Sequence, residues 1–514
     1  MKQIVIFGTA QRGSEILAIL SHLPGYEAVA FSCNDEARWG TEKEGLEIIP
    51  PGDMASRFPG AAVVIASAAY AEIEKRLIAE GNLPSGGCVP IYRIMEAVSE
   101  EDRTALRSKV QRKTAFYDLD VREAPIPPDD GSRERYLVIC NGGYPAEGNP
   151  RCAFAHERVL QYREAGLKVE AFSLVPDARF ERYDYQGVEV FQGGMLELER
   201  FLRVRDYKKL LIHFIDANVM GAIEKAGKAG TPMIVWCHGY EVMPWHRCWF
   251  NFTPDELRRN RTALERQDAE KRAFLRSVYA RENMTFLFVS QWQRERSRKF
   301  VGELPRRQQV IHNFINHAFY AAPEKTAEDR LRILSVKSHG TRTYANDLTA
   351  KAILELSNRS WFPEVTFELY GDGPLFEENF GELLEKNFSN VEIHRRFLNH
   401  EQIRELFRQS GVFLSPTRMD SHQVTASEAM AAGLCVITSS AGPMREFVDE
   451  ACGCVFEFDN YFMLAEEIEF LYFHPEEFLS KAQKAVIRSR EQCGYENTIQ
   501  KELCLLLDGG VRRV

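Results

Sequence analysis

Asp420 and Glu428 are two acids separated by seven residues in the stretch PTRMDSHQVTASEAMAAGLCVITSS. The apolar run GVFLSP before them reads as a strand ending at Pro416, SEAMAAG as a helix closed by Gly433, and CVITSS as the next strand. Open parallel sheets bind ligands beyond the carboxyl ends of their strands, which is where Asp420 falls. Glu428 falls at the start of the helix, whose free N–H groups and partial positive charge suit a diphosphate. The plainer alternatives are an exposed loop acid at Asp420 and a dipole-stabilising acid at Glu428.

The elements that would position this pair are alternating β-rich and amphipathic runs, the pattern of parallel sheets with crossover helices. QIVIFG, EAVAFS and AAVVIAS mark a small Rossmann-like unit over 1–95. A charged helical segment and the linker REAPIPPDDGSRER occupy 96–133. A second unit, 134–316, carries YLVIC, KVEAFSL, KLLIHFI, MIVWCH, TFLFVS and QQVIHN. A third, 317–490, carries RILSV, VTFELYG, VEIHRR, GVFLSP, CVITSS and CVFEF, and 491–514 reads as a helical tail. A chain of 514 residues exceeds one hydrophobic core, and about three domains are expected.

The bulk composition narrows the function. A net charge of -9, from 65 basic and 74 acidic residues, argues against a nucleic-acid partner. No apolar run approaches the roughly 20 residues that span a bilayer, and the N-terminus lacks a signal-peptide pattern. A cytoplasmic location with reduced thiols is expected, and the basic RERSRKF helix at Arg294 to Phe300 permits contact with the inner membrane face. The 11 cysteines read as buried free thiols, and Cys452-Gly453-Cys454 has the wrong spacing for a metal site, so no metal is expected.

The Asp420–Glu428 stretch, with Glu428-Ala429-Met430-Ala431 and Gly433, resembles the signature of the family 4 retaining glycosyltransferases of the GT-B fold. Other segments resemble that family in the same order, from about Tyr136 to Phe473: the CNGGYP turn, WCHGYE, FVSQWQRERSRKF, VIHNFIN, GDGPLFEEN and Gly442 to Glu446. The resemblance implies an α/β protein in which two facing Rossmann-like domains, acceptor over 134–316 and donor over 317–490, follow a small Rossmann-like domain. It implies a donor linked to UDP or GDP, a glycan or lipid-linked glycan acceptor, retention without a metal or other cofactor, and a place in cell-envelope polysaccharide synthesis. It also assigns residues. Glu428 would hold the ribose and Asp420 the donor sugar. The backbone of Ser421, His422, Gln423 and Val424 would face the phosphates. Gly142 and Gly143 would form the glycine-rich first loop, Gly371 and Gly373 the turn near the base, and His238 the histidine of the acceptor domain. Lys337, at a strand end, and Arg342, in the following loop, are the cations available to a diphosphate. Asp420 stands where the family has Glu, and Ser421-His422-Gln423 replaces Gly-Phe-Gly, a bulkier loop at the sugar.

Two further stretches stand apart. Residues 240–252 interleave aromatic and basic side chains, which suits a sugar-bearing acceptor or, equally, an aromatic packing insert. Gly8 to Gly13 after QIVIF is an incomplete dinucleotide turn with Ala10 at its middle glycine, and Asp35 follows the second strand where a ribose-binding acid would lie. A nucleotide site at Gly8, Gly13 and Asp35 competes there with a docking module. For the whole chain, the competing function is a non-catalytic nucleotide- or sugar-binding scaffold with a decayed transferase site.

Overall fold

Continuous buried β-branched runs form three separate sheets, because strands covered by helices on both faces must be apolar along their whole length. The computed structural model describes residues 1–507 except 22, 24, 67–69, 90–133, 148–150, 177 and 179. The segment and linker expected at 96–133 thus lie outside the described residues, as does the end of the tail.

The first sheet has the spatial order Glu42–Lys43, Leu46–Ile49, Tyr26–Ser32, Lys2–Phe7, Ala62–Ile65. The second runs Gln308–Val310, Met284–Phe288, Met233–Cys237, Lys209–His213, Arg135–Asn141, Lys168–Leu174, Val188–Gly193, Glu181–Tyr185. The third runs Val391–Arg395, Thr366–Gly371, Arg332–Val336, Val412–Ser415, Cys435–Ser439, Gly453–Phe456, and all its pairings are parallel. The second sheet ends in an antiparallel hairpin that the hydrophobic pattern does not reveal, since Glu181–Tyr185 is mostly exposed. Gln186 and Gly187 turn it with positive φ values of 50° and 79°, the left-handed pair that a two-residue hairpin favours.

Each large sheet reverses strand order at one place. In the third sheet Arg332–Val336 lies between Thr366–Gly371 and Val412–Ser415, so the loops after Val336 and Ser415 open side by side. In the second sheet Arg135–Asn141 lies between Lys168–Leu174 and Lys209–His213, so the loops after Asn141 and His213 do the same. Such switch points are where α/β sheets leave a crevice.

The chain crosses between the two large sheets twice, at residues 311–316 and again near the C-terminus. The Pro475–Cys493 helix packs on the third sheet, and the Ile499–Leu506 helix returns to the second. There the Tyr136 hydroxyl donates to the Leu506 carbonyl at 3.2 Å and Lys209 Nζ to the Leu505 carbonyl at 2.5 Å. The small N-terminal sheet docks through its Tyr70–Ala79 helix against Ala217–Lys225, with a Glu74–Lys225 ion pair. All eleven cysteines are free and most are buried. Among the described residues no helix is long and apolar enough to cross a membrane.

Candidate active site in the domain cleft

The loop 416–423 is held from beneath by its own side chains. Gln423 is buried and bonds Ser415 and Thr438. Thr417 bonds the Thr343 and Met419 carbonyls. Arg418 is 9% exposed and makes a two-pronged bond to Asp347 at 2.8 and 2.9 Å, another to Asp459 at 2.7 Å, and one to the Arg342 carbonyl at 3.0 Å. Burial pushes the Asp347 carboxyl up, and the Arg418 guanidinium overrides it and leaves it lowered. Sequence reasoning missed Arg418; its only signal is its place two residues before Asp420.

His422 also points inward. Its ring stacks on Phe447 at 4.0 Å, its Nδ1 accepts from the Asn313 N–H at 3.1 Å, and its Nε2 pairs with Ser427 Oγ at 2.9 Å. Burial holds this imidazole well below its ordinary pKa, so it is neutral. The bulk expected to crowd the sugar pocket is therefore folded into the protein. Of the four residues expected to turn backbone toward the phosphates, Ser421 and His422 instead give their N–H groups to Asp420 Oδ1, at 2.7 and 3.2 Å. The N–H groups at Gln423 and Val424 begin the helix Val424–Ala431, which has no side-chain cap. That helix starts earlier than the pattern SEAMAAG indicates, so Glu428 is its fifth residue and lies one turn inside.

Lys337 follows the strand Arg332–Val336 and faces Asp420, with Nζ 5.7 Å from the Tyr344 ring. Burial lowers its pKa to about 8, with Asp420 acting in the opposite sense. Burial raises the Asp420 carboxyl, and Lys337 opposes that shift. Arg342 is not gathered with this pair. Its guanidinium is occupied by the Glu378 carboxylate at 2.9 and 3.0 Å. Gly371 and Gly373 support the same loops: a Cβ on Gly371 would collide with the Lys337 carbonyl, and one on Gly373 with the His339 backbone.

From the other domain, Gly142 and Gly143 turn with φ of 114° and 106° after Asn141. His238 follows the strand Met233–Cys237. Its Nε2 lies 2.8 Å from His213 Nδ1, and its ring packs on Phe154 and Phe214, each at 4.6 Å. Burial holds it well below its ordinary pKa. The next residue, Gly239, has φ of 132°, and a Cβ there would strike Ser421 Oγ, so the His238 and Asp420 loops meet across the cleft. Two further contacts join the domains here: Glu446 accepts from the Gln291 and Trp292 N–H groups at 2.8 and 3.2 Å, and Asn251 Nδ2 donates to Thr343 Oγ1 at 3.0 Å. Asn251 lies near the end of the aromatic and basic insert, whose Tyr240 and Trp249 are 78% and 55% exposed.

Glu428 is 7% exposed and lines a cavity of about 220 Å³ between the domains. Burial raises its carboxyl, with His400 and Tyr320 acting to lower it. In the N-terminal unit, Gly8 has φ of 124°, and a Cβ on Gly13 would strike the Gly8 carbonyl, the tight strand-to-helix turn that the sequence indicates. Asp35 is engaged there: it caps the Ala37 N–H and pairs with Arg38 at 3.1 Å, and Arg38 also bonds Thr9 at 3.1 Å.

The two domains thus meet at the loops after Cys237 and Ser415, with the uncapped Val424 helix end following Asp420 and Lys337 facing it. Residues 330–473 match the family of glycosyl transferases group 1. Solved structures extend the likeness to 73% of the chain. A sucrose-phosphate synthase from Thermosynechococcus elongatus superposes with a TM-score of 0.56 at 13% identity, over 98% of its length. The Anabaena protein HepE, in complex with UDP and glucose, superposes at 0.53 with 13% identity over its whole length. A trehalose 6-phosphate synthase from Burkholderia multivorans gives 0.52 at 12% identity, over 98% of its length. The chain has the GT-B fold. Among curated protein sequences, none matches it.

Proposed function

We propose that this GT-B protein is a retaining, metal-independent glycosyltransferase that moves a sugar from a UDP- or GDP-linked donor to a glycan or lipid-linked glycan acceptor, in cell-envelope polysaccharide synthesis at the cytoplasmic side. The observation that carries the reading is that Lys337 faces Asp420 at the switch point just before the uncapped Val424–Ala431 helix end, where the Asp420 loop meets the His238–Gly239 loop of the other domain. Lys337 and the helix end neutralise the leaving diphosphate. Asp420 holds the donor sugar through the oxygen that does not cap the loop, and Glu428 holds the ribose. His238, neutral and packed, shapes the floor where donor sugar and acceptor meet. Positioning and fixed electrostatics of this kind supply much of a group-transfer barrier.

The acceptor lies on the exposed insert, where Trp249 and Tyr240 offer faces to sugar rings and Arg247 a charge-assisted contact. Its reach to Thr343 brings this surface to the donor domain. Calorimetric titration with UDP and GDP tests the donor site. One of them binds, and Glu428→Ala weakens it about tenfold or more, the loss of a charged hydrogen bond. Absence of binding by both nucleotides would overturn the reading.

A further inference from the structure

The cavity beside Glu428 has a second wall, and that wall belongs to the other domain. It is made by the first turn and a half of the helix Ala153–Glu164, and Glu157 lines it. The two walls match. Glu157 is the fifth residue of its helix and Glu428 the fifth of Val424–Ala431, and neither helix has a side-chain cap. Each therefore presents free N–H groups at its end and an acid one turn further in. The two carboxylates are close enough to influence each other, and burial raises both. His400 Nδ1 lies 3.9 Å from Glu157, and Asn316 also faces that acid. The Tyr320 hydroxyl, on a side chain 3% exposed, lines the same cavity and faces Glu428.

Paired carboxylates in one enclosed space repel unless something donates to both. The wall offers acceptors at one end and helix N–H groups at the other. A ligand that fits carries an anion next to a pair of hydroxyl donors, which is the chemistry of a nucleoside phosphate with an intact ribose. A divalent cation fits less well, because no group of three or more metal-ligating side chains gathers among the described residues.

We infer that Glu157 is a specificity-determining residue of the acceptor domain that accepts a hydrogen bond from the donor ribose, so that the ribose diol is held between Glu157 and Glu428 and draws the two domains together. The inference rests on the proposed nucleotide-sugar site and adds to it a contact from the opposite domain. It makes the protein a reader of the 2′-hydroxyl.

The test is calorimetric titration of the full chain with whichever of UDP and GDP binds and with its 2′-deoxy counterpart. The wild type is expected to favour the ribonucleotide by about 10- to 100-fold, the worth of one hydrogen bond to a charged group. Glu157→Gln is expected to remove most of that preference while leaving the 2′-deoxynucleotide affinity within about twofold. Equal wild-type affinity for the two nucleotides overturns the inference and leaves the donor site standing. So does a Glu157→Gln protein that keeps the full preference, or one that weakens both ligands alike, which marks a purely structural role. Stabilisation by Mn²⁺ alone, lost in Glu157→Gln, overturns it in favour of a cation site. No binding of any nucleotide overturns the inference together with the donor site. Circular dichroism on each variant confirms the fold, and Glu157→Asp, which keeps the charge, is expected to restore part of the preference.

Discussion

Lys337 is the residue whose chemistry decides most. A lysine held near pKa 8 by burial sits within reach of neutrality, and the diphosphate of the proposed donor would pull it back to the charged form. Donor KM should therefore rise as pH climbs above about 8, and Lys337→Arg, which stays charged, should flatten that rise. The linkage runs the opposite way for the free protein. The unfolded chain holds this proton up to an ordinary lysine pKa while the folded one releases it near 8, so stability without ligand should increase across that interval. A urea titration at pH 7.5 and 9.5, with and without nucleotide, reads both signs. His238 and His422 are kept neutral by burial, so neither should add an acidic limb between pH 6 and 8. The two cations that the sequence offers are expected to part company. Lys337→Ala should lower kcat/KM about 100-fold or more, as loss of a fixed charge facing the reacting group does. Arg342→Ala should cost less than about tenfold, because Glu378 already occupies that guanidinium.

At the scale of elements, the loop 416–423 is held by side chains that point into the domain. Arg418 ties the loop to Asp347 and Asp459 on either side. Arg418→Ala should cost about 1–3 kcal/mol in a denaturant titration, because Asp347 keeps Lys351 and Asp459 is 43% exposed. Much of this was legible beforehand. Strands such as GVFLSP and CVITSS are covered on both faces, so their apolar runs announce them, and the acid spacing places Asp420 in the loop between them. The direction of the side chains was not legible. Whether His422 faces a ligand or stacks on Phe447 depends on residues 25 positions away, and nothing in the local pattern encodes that choice. Arg342 shows the same limit, since its partner Glu378 sits on a different helix. The helix start is displaced for another reason. Val424 and Thr425 are poor helix formers by propensity, and it is the buried anchoring of Gln423 that sets them on the first turn.

At the scale of the molecule, the C-terminal helix clasps the two large domains together. Glu502, fully buried, receives Arg158 at 3.1 Å, Tyr162 at 2.5 Å and Trp236 at 3.0 Å, and Arg158 reaches on to Asn313, whose N–H holds His422. A tail that reads as a plain helix in the sequence thus reaches the 416–423 loop through Glu502, Arg158, Asn313 and His422. Glu502→Ala leaves a buried cation unpaired and should destabilise by about 3–5 kcal/mol. If the network also positions the loop, Glu502→Gln should raise donor KM by a larger factor than it lowers kcat. A thermal melt and a donor titration of the two variants separate these effects.

The most direct test of the central claim is release of nucleoside diphosphate from a panel of UDP- and GDP-linked sugars by the wild-type chain and by Lys337→Ala. Turnover of at least one donor, reduced about 100-fold or more in the variant, is the predicted result. No turnover of any donor, or a Lys337→Ala protein as active as the wild type, would contradict it.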